Sequence, residues 1–402
     1  MNKKILLLEP NTTAGRLLLS TAKSLGLYVV AVTQENVYQG YDRKLQNELD
    51  EVWKIDFSNF DTAQKEIVKL SKKKGVDGVV SGFEFFSDLA VKIASELQLP
   101  TNDLDFAEAY RDKYLMAKVF ESSKVPCAKT MVIENKKFLS SVKFPVIVKP
   151  SKNAGSCYVQ KVENLEELQN AYEFIEKNDN EFPHGFPLRS KVIVQEILEG
   201  PEFSVEVVVS QGKVSVLCVT DKQTTYGRYF AEVGHIVPSC VDPQNNSSLQ
   251  TVAVAAIQAL HVTNGVAHVE IILTTDGPKV VEVGVRLPGD YIPNIIFNAT
   301  GINEAELYLK IALGMDIEIS RTKELFSGIK FIKNQRPGKI KKIVSDKKSA
   351  SEIKMYVKEG DEVEVSGDNI SRLGHIINTS SCYRTVDQNL FYELRKMVIE
   401  YE

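Results

Sequence analysis

The stretch AHVEIILTTDGPKVVEVGVRLPGD (Ala267–Asp290) decides the fold that this chain is expected to adopt. Two apolar runs rich in valine and isoleucine flank the turn sequence TTDGP, which predicts two antiparallel strands joined by a hairpin. Each strand carries one acid, Glu270 in the first and Glu282 in the second. A buried carboxylate is costly unless it is paired, and two facing acids repel each other unless a cation lies between them. The hairpin therefore predicts a site for a hard divalent cation, and oxygen ligands suit Mg²⁺.

The chemistry also predicts the register of this hairpin. A three-residue turn, 275–277, places Glu270 opposite Glu282 and leaves Gly277 in the left-handed conformation, whereas a two-residue loop puts the acids on opposite faces. Arg286 lies two side-chain steps past Glu282 on the same face and would reach an anion beside the cation. The alternative interpretation is that the two acids pair with surface lysines.

Composition excludes several classes of protein. The chain has 402 residues, which suggests two to four domains, with 43% hydrophobic and 25% charged residues. A net charge of −4 without a long basic run argues against nucleic acid as the main partner. No apolar window is long enough for a membrane span. The apolar run within the first ten residues is too short for the core of a secretory signal. Five scattered cysteines indicate free thiols, so we expect a cytoplasmic protein.

Strand-like and helix-like patterns alternate from residue 1 to about 100, beginning with the apolar run at 4–8, and predict a parallel α/β layer. The polar turn Thr12–Gly15 could hold an anion at a helix start, but it lacks the GxGxxG and Walker patterns. We prefer to interpret it as a packing turn or as one wall of a substrate site.

The pattern changes after residue 100. A single helix is predicted over 105–125, closing before Pro126, and strands joined by short turns with helices outside then indicate an antiparallel α+β region. From about residue 320 a smaller, lysine-rich part follows, with strands and a final helix near 386–400.

Two further segments carry candidate binding groups. In VIVKPSKNAGSCYV, a strand delivers Lys149 to a small-residue loop in which Gly155 lets backbone N–H groups approach an anion and Ser156 adds a hydroxyl. The alternative is an ordinary hairpin with an exposed lysine.

In VIVQEILEGPEFSVEV, Gln195 and Glu196 end a strand, Leu198 lies in the link and Glu202 opens the next strand. This link could offer backbone groups to a flat heterocycle, and Glu202 could accept from sugar hydroxyls. The alternative is a plain crossover with surface acids.

Taken together and in order, these segments resemble the ATP-grasp superfamily of carboxylate–amine ligases. The resemblance covers about residues 100–315 and rests on five segments: RDKYLMAKVFESSKVP with Lys113, VIVKPSKNAGS with Lys149, VQEILEGPEFSVEV, the strand with Glu270, and EVGVRLPGD with Glu282 and Arg286.

The resemblance implies a set of ATP-binding residues. Lys113 and Lys149 would contact the phosphates, and the loop Asn153–Ser156, with Gly155, would close over the β- and γ-phosphates. Gln195, Glu196 and Leu198 would line the adenine, and Glu202 would hold the ribose.

The resemblance likewise implies a metal site. Glu270 and Glu282 would bind two Mg²⁺ ions, with Mn²⁺ as a substitute, and Glu282 would bridge them. Arg286 would face the acyl phosphate. The family commonly has Asn two residues after the second metal-binding Glu, where this chain has Gly284. This departure implies that water or another residue replaces one ligand.

The segment TDKQTTYGRYFAEVGHIVPS (220–239) and the sequence RLPGDYIP resemble the L-amino-acid ligase branch, which makes dipeptides. In that branch Glu232, His235 and Arg286 would lie near the amino-acid substrates. His235 could accept a proton from the amine, because its reference pKa is near 6.5. The alternative is a surface or hydrogen-bonding histidine.

The expected protein is therefore a multidomain α/β and α+β chain with an ATP-grasp fold. Its expected domains are an N-terminal α/β domain (1–100), a small subdomain with the phosphate loop (101–185), a large subdomain with the metal site (186–320) and a C-terminal α+β domain (321–402).

The expected reaction forms an amide bond between an amino-acid carboxylate and an amine through an acyl phosphate, with small-molecule substrates and a possible homodimer. There are two alternatives. The first is an ATP-grasp enzyme of the purine-biosynthesis or carboxylase type, and the second is a degenerate ATP-binding regulatory protein.

Overall fold

A computed structural model describes residues 3–134, 142–225, 227–344, 349–369 and 371–402. Among the described helices, none is long and apolar enough to cross a membrane.

The N-terminal part is a parallel four-stranded sheet with helices packed against it, as the alternating pattern predicted. Its strands, in the order β3-β2-β1-β4, are β1 (Lys4–Leu8), β2 (Tyr28–Thr33), β3 (Glu51–Lys54) and β4 (Gly78–Ser81). Its helices are α1 (Thr13–Ser24), α2 (Glu35–Tyr38), α3 (Arg43–Glu48), α4 (Phe60–Lys74) and α5 (Ser87–Glu96). The apolar run of β1 is buried on both faces, because helices cover both sides of a parallel sheet.

The helix predicted over 105–125 is wrong in one respect, because it is interrupted. A 3₁₀ helix (Leu104–Tyr110) is followed by a separate helix, α6 (Lys113–Ser122). Asp112 separates them: its carboxylate accepts hydrogen bonds from the backbone N–H groups of Tyr114 and Leu115 and so caps the start of α6. Lys113 therefore becomes the first residue of a helix.

A small antiparallel sheet follows, with α7 (Leu165–Lys177) packed against it. Its strands, in the order β5-β8-β6-β7, are β5 (Thr130–Val132), β6 (Val146–Pro150), β7 (Gln160–Val162) and β8 (Val192–Gln195).

The largest sheet has eight strands and is antiparallel throughout. In the order β13-β12-β9-β10-β11-β14-β18-β16, its strands are β9 (Glu202–Ser210), β10 (Lys213–Thr224), β11 (Glu232–Val237), β12 (Gly265–Thr274), β13 (Gly277–Gly284), β14 (Phe326–Lys333), β16 (Glu352–Met355) and β18 (Arg372–Ser380). The helices of this part are α8 (Pro243–Ala259), α9 (Ile292–Thr300), α10 (Glu304–Ala312) and α11 (Tyr383–Lys396). A third small sheet has the order β17 (Glu362–Val363), β15 (Gly338–Val344), β19 (Val398–Tyr401). The proposed boundary at residue 320 falls between strands of one continuous sheet.

The hairpin β12–β13 has the predicted pairing but not the predicted turn. Glu270 lies directly opposite Glu282, yet Thr274 pairs with Gly277, so the loop contains only two residues. The register shifts at a β-bulge, because Ile271 opposes Val280 and one extra residue lies on β13. The bulge, rather than a three-residue turn, brings the acids to the same face. Position 277 does have a positive φ, of 109°.

Candidate active site

A cavity of about 250 Å³ lies between the small sheet and the large sheet. Thirteen of the fourteen residues singled out from the sequence line it: Lys113, Lys149, Asn153, Gly155, Ser156, Gln195, Glu196, Leu198, Glu202, Glu232, Glu270, Glu282 and Arg286. His235 does not line it. The fold therefore brings together residues that lie up to 173 positions apart, between Lys113 and Arg286.

One end of the cavity is built around the small-residue loop after β6. Lys149 is 4% exposed, and among the described residues it has no carboxylate within 4 Å. Burial lowers the pKa of Lys149 to about 8, although nearby acids oppose this. Lys113 Nζ donates to Asn153 O at 2.6 Å, and Gly155 and Ser156 both have positive φ. A buried ammonium without a partner beside a loop of small residues is suited to binding an anion.

The link between β8 and β9 forms an adjoining wall. Gln195 is buried and donates from Nε2 to Thr130 Oγ1 at 2.8 Å. The backbone N–H of Glu196 donates to Lys129 O at 3.1 Å, so this link is held against β5. Leu198 lines the cavity and Glu202 begins β9 beside it.

The facing acids are each paired with a different cation. Lys113 Nζ lies 2.8 Å from Glu282 Oε1, and Lys222 Nζ lies 2.6 Å from Glu270 Oε1. Burial would raise the pKa of Glu270, but Lys222 and His268 hold it well below the usual value. Two carboxylates on one face of a cavity are hard oxygen donors and fit Mg²⁺ or Mn²⁺.

Lys222 is the most important residue that the sequence analysis missed. Its side chain is 1% exposed, and Nζ lies 3.0 Å from Glu202 Oε1, 2.7 Å from Glu232 Oε1 and 2.6 Å from Glu270 Oε1. The three acids raise the pKa of Lys222 well above its usual value against the effect of burial. A signal was available, since Lys222 lies in β10 three positions after the apolar run VLCV (216–219) and shares a strand face with Cys218 and Thr220.

At the other end of the cavity, two carboxylates face the interior and His235 lies behind them. His235 is fully buried, with Nε2 3.3 Å from Asp290 Oδ2 and 3.9 Å from Glu232 Oε2. Burial lowers the pKa of His235 even though Asp290 opposes this. Burial and the nearby Asp290 raise the pKa of Glu232 to about 8 against the effect of Lys222. In this arrangement Glu232 and Asp290, rather than His235, are in direct reach of a ligand.

The C-terminal part supplies two side chains that hold these carboxylates. Arg372 binds Asp290 with both arms of its guanidinium, at 2.5 and 2.7 Å, and its Cζ lies 3.5 Å from the centre of the Phe331 ring. Asn369 accepts a hydrogen bond from the backbone N–H of Glu232 and donates to Glu232 Oε2 at 3.1 Å. The sequence carried no signal for either residue, because both act through contacts more than 80 positions away.

Arg286 is bound by the N-terminal part of the chain. Its Nε–H donates to the carboxylate of Glu84, which also lines the cavity, and its NH1 donates to Leu287 O at 2.7 Å. A side chain at position 284 would begin 3.6 Å from Cζ of this guanidinium. This is an ordinary van der Waals distance, so an alanine at position 284 would fit beside Arg286.

The Thr12–Gly15 turn is tightly packed. A Cβ at Gly15 would lie 2.6 Å from Glu9 O, and one at Gly82 would lie 2.5 Å from Gly15 Cα. The neighbouring edge of the parallel sheet is occupied by His184, whose Nε2 lies 2.8 Å from Glu9 Oε2. Ligands of such sheets bind at this carboxyl edge, and in this chain His184 lies there against Glu9, which favours the packing-turn interpretation.

Comparison with known proteins agrees with this architecture. The sequence model of the ATP-grasp domain family matches residues 142–294. The sequence model of the ATP-grasp N-terminal domain family matches residues 19–101. The chain therefore contains an ATP-grasp domain preceded by an ATP-grasp N-terminal domain, and its ligase relatives indicate an enzyme. ATP-grasp enzymes in general use ATP and Mg²⁺.

The chain is similar to several ligases. It is 26% identical over 278 residues to alanine–anticapsin ligase of Bacillus subtilis (63% of this chain, 58% of that protein) and 26% identical over 313 residues to dapdiamide A synthase of Enterobacter agglomerans (75% and 71%). The crystal structure of L-amino acid ligase from Bacillus licheniformis has the same fold, with a TM-score of 0.84, 21% identity, and 100% and 99% of the two chains covered.

Proposed function

We propose that this protein is an ATP-dependent ligase that joins the carboxylate of an amino acid to an amine, through an acyl phosphate, with release of ADP and phosphate. The observation that supports this most strongly is one cavity that is lined by two facing carboxylates, by the further acids Glu232 and Asp290, and by a lysine with no carboxylate partner among the described residues. The similarity to alanine–anticapsin ligase, dapdiamide A synthase and L-amino acid ligase supports the same reaction class.

On this proposal, ATP lies with its phosphates against Lys149, Lys113 and the loop Asn153–Ser156. The adenine lies along Gln195–Leu198, and Glu202 receives the ribose hydroxyls. The ammonium of Lys149 is attracted to phosphate oxygens, and no carboxylate of the described residues has to be displaced from it first.

Glu270 and Glu282 would hold the divalent cations, two by expectation, and these would neutralise phosphate oxygens as the phosphoryl group moves. Gly284 provides no ligand of its own. Arg286, held by Glu84, presents a fixed positive charge on the same wall, where it would stabilise the oxygens of the acyl phosphate.

In the second step the amine attacks the acyl carbon, phosphate leaves, and the amine loses a proton. We assign the proton acceptor to Glu232, which lines the cavity, rather than to His235, which lies behind Asp290. Because Arg372 holds Asp290 in place, the ion pair at this end is available to orient a substrate ammonium rather than to take up its proton.

Phosphate release tests this proposal. The protein is incubated with ATP and Mg²⁺ and with twenty amino acids, singly and in all pairs. We expect release that depends on a particular pair and falls by about a hundredfold or more in Glu282→Gln. Release with a purine-pathway amine or with bicarbonate alone would favour the other ATP-grasp reaction types. ATP binding without release in any mixture would favour a regulatory protein.

A further inference from the structure

One buried side chain in the wall of the cavity, that of His268, has no part in the reaction described so far. His268 and Glu270 are two residues apart on β12 and therefore point to the same face of the sheet. His268 Nε2 lies 3.2 Å from Glu270 Oε1, and His268 Nδ1 lies 2.9 Å from both carboxylate oxygens of Glu206. Both ring nitrogens thus face acids, and the ring links one carboxylate to the other.

Glu206 is itself anchored. It lies directly opposite His268 on the neighbouring strand β9, is fully buried, and accepts a hydrogen bond from Ser204 Oγ at 2.6 Å. Ser204 is fully buried as well and lies opposite Glu270. Four side chains on two adjacent strands therefore form a linear hydrogen-bonded array, in the order Ser204, Glu206, His268 and Glu270.

This array determines which oxygen of Glu270 can receive a cation. Lys222 and His268 both reach Oε1, and among the described residues no donor reaches Oε2. A carboxylate tied at one oxygen by two donors cannot rotate freely, so the second oxygen keeps a fixed direction. Glu270 is 23% exposed and lines the cavity, whereas Glu206 is sealed from it.

We propose that Glu206 and His268 are positioning residues that fix Glu270 so that its Oε2 is presented to a divalent cation. This rests on the proposed role of Glu270 as a metal ligand. Hydrogen bonds to a ligating carboxylate are part of many metal sites, and their loss typically lowers metal affinity by about 10–100-fold.

The experiment compares two substitutions of His268, each of which keeps one of the two hydrogen bonds that the ring nitrogens make. In His268→Asn the amide can still reach Glu206 but not Glu270, whereas in His268→Gln it can still reach Glu270. Mn²⁺ binding to the whole folded protein is measured by electron paramagnetic resonance in the presence of ADP. We expect about tenfold or weaker binding in His268→Asn, and binding within about twofold of the original in His268→Gln.

His375→Gln is the matched control, because His375 is also a buried histidine but contacts Tyr356 and no acid of the cavity. It should bind Mn²⁺ as the original protein does. Circular dichroism verifies that each variant is folded, and if His268→Asn does not fold, Glu206→Gln gives the same test at the other end of the array.

The results separate the two proposals. If Glu270→Gln loses Mn²⁺ binding but His268→Asn binds it equally well or more tightly, the positioning role is wrong and the metal site stands. If Glu270→Gln binds Mn²⁺ like the original protein, the metal site itself is wrong. A fall in affinity in His268→Asn but not in the control supports the positioning role.

Discussion

Two regions of this molecule bury a cation between carboxylates, and they differ in what surrounds it. At the edge of the N-terminal sheet, His184 lies 2.8 Å from Glu9 and 3.2 Å from Glu181, and the rings of Phe57, Phe83, Phe86 and Phe186 enclose it. In the cavity, Lys222 lies within 3.0 Å of three carboxylates, all of which line open space.

The difference shows that the same kind of ion pairing can serve packing or binding. The His184 cluster has no exposed oxygen, and it fixes the loop after α7 to the N-terminal sheet. The Lys222 cluster leaves carboxylate oxygens facing the cavity, so it can exchange its internal partners for a ligand. The charges are buried in both clusters, but only the carboxylates of the Lys222 cluster can be reached from the cavity.

The largest effect is expected from Lys222→Met, which keeps the length of the side chain but leaves three carboxylates without their cation. We expect the free energy of unfolding to fall by about 3–5 kcal/mol at pH 7.5, because breaking a buried pair leaves uncompensated charge. Urea denaturation followed by circular dichroism measures this loss.

Lys330→Met is the control, since Lys330 is a half-buried strand lysine that bonds Gln223 and not a carboxylate. It should lose under about 1 kcal/mol. The deficit of Lys222→Met should shrink as the pH falls and the carboxylates become protonated. Equal losses of stability in the two variants would contradict the claim that the ion pairs of Lys222 stabilise the site.

The second prediction concerns the His184 cluster and the dependence of its stability on pH. Burial alone would lower the pKa of His184, but hydrogen bonds to Glu181 and Glu9 raise it to about 9. A histidine whose pKa is raised on folding contributes stability that is complete below its unfolded value near 6.5 and is lost as the pH rises through about 9. This amounts to about 3 kcal/mol.

In His184→Gln this pH-dependent part should be absent, so the melting temperature should fall less between pH 7 and 9.5 than it does in the original protein. Trp53, the only tryptophan of the sequence, lies in the N-terminal sheet and gives a fluorescence signal for this region. The same slope with pH in the variant and the original would contradict a charged His184.

The fold was predictable where local pattern determines it. Alternating strands and helices indicated the parallel sheet, and the apolar runs around TTDGP indicated the hairpin. The pairing of Glu270 with Glu282 was predicted correctly for the wrong reason, because a β-bulge adjusts the register and no residue type in the segment marks it.

The site was predictable only in part. Residues within the recognisable segments lie on the cavity, but Glu84, Asn369 and Arg372 come from the two ends of the chain. Their role depends on tertiary packing, which single-sequence patterns do not encode. His235 illustrates the opposite case, since its segment was recognised but its depth behind Asp290 could not be read from spacing.

A smaller effect is expected from Arg372→Lys. A lysine cannot bind both oxygens of Asp290, so the acidic end of the cavity should be less well ordered. We expect kcat/KM for the amino-acid pair to fall by about tenfold, equivalent to about 1.4 kcal/mol, with the KM for ATP unchanged. Arg321→Lys, which only loses a bond to Leu217 O, is the control. A changed KM for ATP would argue that Arg372 acts on the whole fold.

The smallest effect on stability is expected from alanine substitutions at two glycines of β13, Gly284 and Gly277. Gly284 does not have a positive φ, and a Cβ there would meet its nearest atom at 3.6 Å, an ordinary contact. Gly284→Ala should therefore stabilise the fold by about 0.4–1 kcal/mol. Gly277→Ala should destabilise it, because φ is 109° there. If Gly284→Ala is destabilised as much as Gly277→Ala, the space beside Arg286 does require glycine at position 284.

The most direct test of the central claim follows the oxygen of the substrate carboxylate. The amino acid that is activated in the most productive pair is labelled with ¹⁸O in its carboxylate, and the released phosphate is analysed by mass spectrometry. An acyl-phosphate mechanism predicts that one ¹⁸O atom appears in each phosphate, alongside a product with the mass of the two amino acids less one water. Product formation with unlabelled phosphate would contradict the mechanism.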